Sequence, residues 1–349
     1  MTMNIGIGQC TLGLQVLIIK LSNIERVKEM KGESKAKRYR GSIWREFWKQ
    51  RSLQIFVLAG IVYILIFNYI PMFGLVIGFK DYKITSGIAG MISSPWVGFK
   101  HFVEFFADYK FVELMRNTLV LSILKLICSF PIPIIFAIML NEVRQEGTKK
   151  FIQTISYLPY FISWVIVAGL LRIIASDSGI INDILMRAGL IAAPLEFLTS
   201  PRFFYGLCIL TAIWKDTGWW TIIFLAAISG VDPTMYEAAS IDGATRIQKM
   251  KYITFPSIAG TVTVVLILAL GNLLGGGLSG SNFEQSYLLG NAGNREVADI
   301  IQTYVMRIGL SQGRYSYATA VGMLQSVISV MLVYSSNFIS KKVSGDGLF

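Results

Sequence analysis

An all-α integral membrane fold with six transmembrane helices follows from three observations on the chain. Of its 349 residues, 54% are hydrophobic and only 15% charged, far less charge than a soluble domain carries. The apolar residues fall in blocks long enough to span a bilayer, about 20 residues each in a helix. The segments between the blocks hold most of the charge, and the blocks lack a regular polar face, so a large water-soluble core does not account for them.

The six blocks are 53–79, 117–140, 154–175, 204–228, 255–276 and 317–339. Trp44, Phe47 and Trp48, set among Lys and Arg, read as an interfacial segment leading into the first. In the loop at about 80–116, the aromatics of 94–102 are expected to anchor at the outer interface. The second block contains Pro131 and Pro133, which remove backbone donors and kink a helix; neighbours or a cavity can satisfy the freed carbonyls. The third opens near Tyr157, Leu158, Pro159 and Tyr160. After the fifth, the Gly-rich segment 277–316 includes Phe283, Glu284, Gln285 and a helix-like run, Val297–Arg307. It is expected to offer a surface to an extracytoplasmic partner.

The net charge of +11 is unevenly placed. Residues 1–52, the loops 141–153 and 229–252, and Lys341 and Lys342 carry 19 Lys and Arg, against 10 in the opposite loops, which are longer in total. The positive-inside rule puts both termini and the 229–252 loop in the cytoplasm, and an even helix count agrees. This is the pattern of a multi-pass protein of a cell membrane, in contact with lipid and not with nucleic acid. The domains expected are a cytoplasmic segment 1–52, a membrane domain 53–340 that includes a cytoplasmic loop 229–256, and a cytoplasmic tail 341–349. Met30 opens a basic stretch, so residues 1–29 read as a start-site extension; no basic segment precedes the apolar run 11–19, as a cleavable signal would need. Cys10, Cys128 and Cys208 imply neither a disulfide framework nor a metal site, and Cys128 and Cys208 read as small apolar fillers.

The loop 231–256 holds the densest pattern. Asp232 followed by Pro233 is a helix start, a side-chain acceptor at N-cap and a ring-fixed φ at N1. Glu237, Ala238 and Ala239 continue a short helix through Asp242. Gly243 ends it, because glycine takes the left-handed conformation at low cost. Ala244 to Ile253 can form a second helix, with Arg246, Lys249 and Lys251 near its polar side, and Pro256 marks the start of the fifth span. Two short helices around a glycine elbow suit a coupling element: small residues fit a groove on a partner, charge fixes orientation, and stiffness passes motion to the attached spans. An ordinary surface loop containing a helix is the bland alternative.

At these residues the chain resembles the permeases of type I ABC importers, of the maltose-type, carbohydrate-uptake branch, whose EAA loop carries Glu-Ala-Ala, then Gly, Ile and Pro at the spacing of Glu237–Ala239, Gly243, Ile253 and Pro256. Asn68–Gly74 with Gly78–Tyr82, and Asp299–Val305, Arg307–Leu310 and Tyr315–Ala320, are similar to the polysaccharide/lipoprotein-associated group, which includes alginate and rhamnogalacturonan-oligosaccharide transporters. The likeness covers about residues 40–345, with 271–281 atypically rich in Gly and Ser. It implies a type I importer permease fold and a subunit of the bacterial inner (plasma) membrane that pairs with a second homologous permease, docks a homodimeric ABC ATPase through the EAA loop, receives a carbohydrate from an extracytoplasmic solute-binding protein, and moves it by alternating access. Glu237, Ala238, Ala239, Asp242, Gly243, Ile253 and Pro256 would then be the ATPase-coupling residues. No cofactor would be bound by this chain: ATP and Mg belong to the partner ATPase. Independently, the chain has no Gly-Lys dipeptide and so no Walker A loop.

For the transport path, Lys215 and Asp216 stand inside the fourth span among Trp214, Trp219 and Trp220. Charges in a span are costly and face a cavity or each other, and aromatic faces beside polar groups suit sugars. The alternative is an interfacial aromatic belt around a neutralising ion pair. Arg172 reads as a snorkelling side chain. Lys125 either snorkels or pairs with an acid, and Asn272 either bonds across helices or lines the path. Tyr160 and Trp164 are weaker path candidates. Gly277–Gly280 superficially resembles an intramembrane serine-protease motif, but the only histidine, His101, is in an outside loop, so a base is missing. A secondary transporter would need acids at the midplane and internal repeats. A permease for a non-sugar solute remains the nearest alternative, and a chain of either permease type is not an enzyme.

Overall fold

The computed structural model describes residues 50–344. Cys10, the 1–29 segment, the Trp44–Trp48 region and the end of the tail lie outside the described residues. Contacts divide the chain into a unit ending at Gly74 and a unit from Leu75 onward.

In the first unit α1, Arg51–Ile64, passes through a π-turn at Leu65–Tyr69 into Ile70–Met72. Pro71 cannot donate to the turn before it, and one wide turn absorbs the missing bond. The helical stretch runs on to Phe79, long and apolar enough to cross a membrane.

The second unit contains α2 (Lys100–Ala107), α3 (Phe111–Asn141), α4 (Glu146–Phe161), α5 (Trp164–Ile174), α6 (Pro201–Ser229), α7 (Pro233–Ile241), α8 (Arg246–Gly271), α9 (Asn282–Leu289), α10 (Arg295–Ala298), α11 (Ile301–Met306) and α12 (Tyr315–Ser344). Among the described residues the only β-pairing is an isolated bridge, Lys80 to Trp96. The stretch containing α1, together with α3, α8 and α12, meets the length and hydropathy of a membrane span. Two bent pairs, α4 with α5 and α6 with α7, raise the number to as many as six.

Three expectations are corrected here. The third block is not one straight span: α4 and α5 meet at 97°. The ring of Pro159 sits in a tight 3-10 turn, Leu158–Phe161, and Ser163 restarts the chain by accepting from the Ile166 amide at 3.4 Å. The fifth span begins earlier than Phe255. The second arm of the elbow runs from Arg246 through a π-turn, Met250–Thr254, straight into Phe255–Gly271, because the wide turn tolerates the missing donor of Pro256. The 297–307 run is two helices, α10 and α11, broken at Asp299 and Ile300.

Three clusters hold the second unit. Leu121, Val167, Leu171, Phe204, Cys208 and Leu289 join α3, α5, α6 and α9. Phe130, Ile134, Phe224, Ile258 and Val265 join α3, α6 and α8. Phe105, Leu114, Ile301, Tyr304 and Tyr317 join α2, α3, α11 and α12. Between apolar helices in lipid, close contact supplies the attraction. α6 crosses the end of α4 so tightly that a Cβ on Gly218 would stand 2.1 Å from the Ser156 carbonyl oxygen. At the edge of the third cluster Asp108 accepts from the Tyr304 hydroxyl, from the Tyr317 hydroxyl at 3.2 Å and from the Lys110 amide at 2.9 Å. Partial burial pushes the Asp108 carboxyl up, but these donors outweigh it and hold it below its ordinary value. Burial and the hydrogen bond to Asp108 push the Tyr304 phenol up to about 12.

Candidate functional site: an exposed elbow and a buried polar cluster

The elbow forms as its residues dictate. Asp232 caps α7, its carboxylate accepting from the Thr234 amide at 2.9 Å, with Pro233 at the first turn. Gly243 has φ +75°, the conformation expected of it. The second arm starts at Arg246, two residues later than Ala244, behind a capping box: the Gln248 side chain accepts from the Thr245 amide at 2.7 Å and the Thr245 hydroxyl accepts from the Gln248 amide at 3.4 Å. Two side-chain bridges tie the arms together. Lys249 Nζ donates to Ser240 Oγ at 2.5 Å, and the Tyr236 and Thr254 hydroxyls lie 2.9 Å apart. Glu237, Ala238, Asp242, Gly243 and Pro256 are exposed, while Ala239 and Ile253 are partly buried. The sequence pattern missed Ile241 and Ile247, which stand 88% and 75% exposed beside Gly243. They leave apolar surface uncovered on a braced turn, and their only signal was position.

The path candidates separate into groups. Tyr160 stacks on Trp219, ring centres 4.4 Å apart and 5° from parallel. Lys215 lies over the Tyr160 ring at 4.9 Å and the Trp164 ring at 5.6 Å, and donates to the Tyr160 carbonyl at 2.5 Å. The bend between α4 and α5 brings these four side chains together. Trp220 instead packs beside the second core cluster, and Trp214 is half exposed. The neutralising ion pair is not formed: among the described residues no cation lies within salt-bridge distance of Asp216. Asp216 follows Lys215 by one residue and so points about 100° away round the helix, where it faces Ser279.

There α9 and the glycine-rich turn before it form a buried polar network that 277–316, read as an exposed partner surface, did not suggest. Lys125 is 1% exposed and donates to Ser281 at 3.0 Å, so it neither snorkels nor forms a direct pair. Ser281 meets Ser279. Gln285 donates to the Cys208 carbonyl and the Thr211 hydroxyl, both at 2.9 Å, and Asn282 to Ser122 at 2.8 Å. Asp216 and Glu284 are electrostatic neighbours of Lys125, and each keeps one buried oxygen without a partner. Asn272 closes its own turn, donating to the Gly277 carbonyl at 3.0 Å, and Arg172 donates to the Leu288 carbonyl at 2.7 Å. The available signal was a run of Ser, Asn, Glu and Gln at helical spacing behind flexible glycines, the composition of either a loop or a polar helix buried in protein.

The family model of the binding-protein-dependent transport system inner membrane component matches residues 129–344. Protein LplB of Bacillus subtilis (strain 168) is 44% identical over 312 residues, 89% of this chain and 95% of its own length. The polygalacturonan/rhamnogalacturonan transport system permease protein YteP of the same organism is 45% identical over 86% of this chain and 91% of its own. A crystal structure of a bacterial ABC transporter involved in the import of the acidic polysaccharide alginate matches with a TM-score of 0.77 and 40% identity, over 86% of this chain and 99% of that one. The transporter in complex with alginate pentasaccharide-bound periplasmic protein matches equally, at 39% identity. This chain belongs to the family of binding-protein-dependent transport system inner membrane components.

Proposed function

We propose that the chain is a carbohydrate-importing permease subunit that pairs with a second permease, is driven by a separate ABC ATPase docked on the elbow, and is loaded by an extracytoplasmic binding protein. The observation that carries the reading is the braced, exposed elbow between α6 and α8. It holds Ile241 and Ile247 outward, and its two cross-links make it stiff, so displacement of the elbow moves both helices together. Glu237 and Asp242 supply orientation and Ala238 and Ala239 supply close approach. The charge asymmetry supports placing the elbow and both termini in the cytoplasm. The names and descriptions of the relatives support a saccharide cargo. ATP and Mg would stay with the ATPase, and this chain's part is conformational: ATP-driven closure of the ATPase opens the helices outward, and hydrolysis returns them.

Gly243→Val provides the test. A Cβ at Gly243 would meet nothing within 4 Å, so the change adds no clash, but a β-branched residue at φ +75° costs on the order of 1–2 kcal/mol and opposes the turn. Tagged wild-type chain, extracted in mild detergent, is expected to carry a second permease and an ATPase. The variant should insert normally, recover less ATPase and lose uptake about tenfold or more. Wild-type chain recovered without either partner, or full uptake by the variant, would overturn the coupling role.

The Tyr160–Trp219 stack supports a sugar contact, since the partly exposed Trp219 ring offers an apolar face to C–H groups, with Lys215 held over Tyr160 beside it. Trp219→Ala removes a side chain that is 36% exposed and is expected to cut oligosaccharide uptake several-fold with insertion and partner recovery intact. Uptake equal to wild type would exclude the contact.

A further inference from the structure

A cavity of about 280 Å³ opens among α9, α10 and α11, lined by Ser286, Tyr287, Arg295, Asp299, Thr303 and Arg307 with a few neighbours. Its groups are unequally engaged. Asp299 is 4% exposed and holds Arg307 through two contacts, at 2.5 and 3.2 Å. This pair fixes the guanidinium in place and leaves it further N–H donors. Thr303 is occupied by Asp299 and the Ile300 backbone. Arg295 is different: it is exposed, and its guanidinium makes no hydrogen bond or ion pair with any described residue. Ser286 is different in the opposite sense. It is 3% exposed, and its hydroxyl has no partner. A buried hydroxyl left unsatisfied costs stability, which a ligand reaching it would recover. Tyr287, 56% exposed and stacked on Phe283 with centres 5.6 Å apart, presents an aromatic face beside both.

Two guanidinium groups against one carboxylate leave one positive charge unbalanced in the cavity. Planar guanidinium binds carboxylate through paired hydrogen bonds, the free hydroxyl suits a ligand hydroxyl, and the tyrosine ring suits the C–H face of a pyranose. We propose that this cavity is a subsite for one carboxylated sugar ring, a uronate residue of an acidic saccharide. The proposal rests on the carbohydrate-import reading and narrows its substrate class. A neutral ring would gain nothing from Arg295, so the acid is favoured over it.

The test uses the full chain in lipid nanodiscs, titrated with trigalacturonate and with its neutral methyl ester. Wild type is expected to bind the acid at least tenfold more tightly than the ester. Arg295→Gln, a surface change, should remove that preference and leave ester binding as it was. Ser286→Ala should weaken acid binding several-fold without lowering the unfolding temperature, since the hydroxyl has no partner within the chain. A merely structural serine would show the opposite. Equal binding of acid and ester by wild type, or an unchanged preference in Arg295→Gln, overturns the proposal. So does loss of binding-protein docking in Arg295→Gln with trigalacturonate binding intact, because the arginine then serves a protein carboxylate. Each of those results removes the uronate subsite alone; uptake of saccharides, acidic and neutral, decides the import reading separately.

Discussion

Gly218→Val is expected to prevent assembly of the helical domain. A Cβ at this position would lie 2.1 Å from the Ser156 carbonyl oxygen and 2.5 Å from the Tyr157 amide nitrogen. Both are backbone atoms, so no rotamer change relieves the overlap. α6 and the end of α4 would have to separate, and the Tyr160–Trp219 stack one residue away would be lost with them. Destabilisation on the order of 4–5 kcal/mol or more belongs to the small class of severe overpacking effects. Gly206→Ala on the same helix is the control, since its Cβ would meet nothing within 4 Å; it should be neutral or slightly stabilising through helix propensity. Fluorescence-detected size-exclusion of tagged protein in detergent reads both. A monodisperse, wild-type-like peak for Gly218→Val would contradict the crossing.

Lys125→Met is expected to be the next largest loss. The substitution keeps most of the apolar stem and removes the ammonium that contacts Ser281 and lies among Asp216, Glu284 and Cys208. Buried Asp216 and partly buried Glu284 would then lose their shared compensating charge. Lys125 makes no direct ion pair, so the loss is its buried hydrogen bond to Ser281 together with the compensation it gives the acids, on the order of 1–3 kcal/mol. Because the acids create that cost, Lys125→Met combined with Asp216→Asn should be less unstable than the sum of the single changes. Thermal unfolding of the three variants in detergent decides it: strict additivity would mean that Lys125 does not compensate Asp216, and a Lys125→Met variant as stable as wild type would mean that it compensates neither acid.

The local part of this architecture was legible residue by residue. The Asp232–Pro233 start and the Gly243 stop act within one helical turn, so their geometry is encoded where they stand, and the elbow has the form they predict. The apolar blocks likewise coincide with helices, because an unbroken run of about 20 apolar residues has few other stable forms in a bilayer. The break at Ile162 and Ser163 was half legible. Pro159 announced an irregularity, but a proline in a span is compatible with a kink, a 3-10 turn or a full break, and which of these forms depends on what packs against it.

The polar segment 277–289 shows the opposite limit. Its Gly, Ser, Asn and Gln residues have the composition of a surface loop, yet Ser281, Asn282, Gln285 and Ser286 are buried. The partners of Ser281, Asn282 and Gln285 lie on α3 and α6, about 75 to 160 residues away in sequence, and composition carries no record of partners at that distance.

The sequence by itself determined that this is a helical membrane protein with a two-armed glycine elbow, because hydropathy, capping and glycine conformation are short-range properties. Only the tertiary structure decided that Lys125 meets Ser281, that Lys215 and Asp216 turn to different neighbours, that Gly218 permits a backbone-to-backbone crossing, and that Arg295 and Ser286 share a cavity. Each of these depends on which helices approach one another and at what angle, and that is a property of the packed chain.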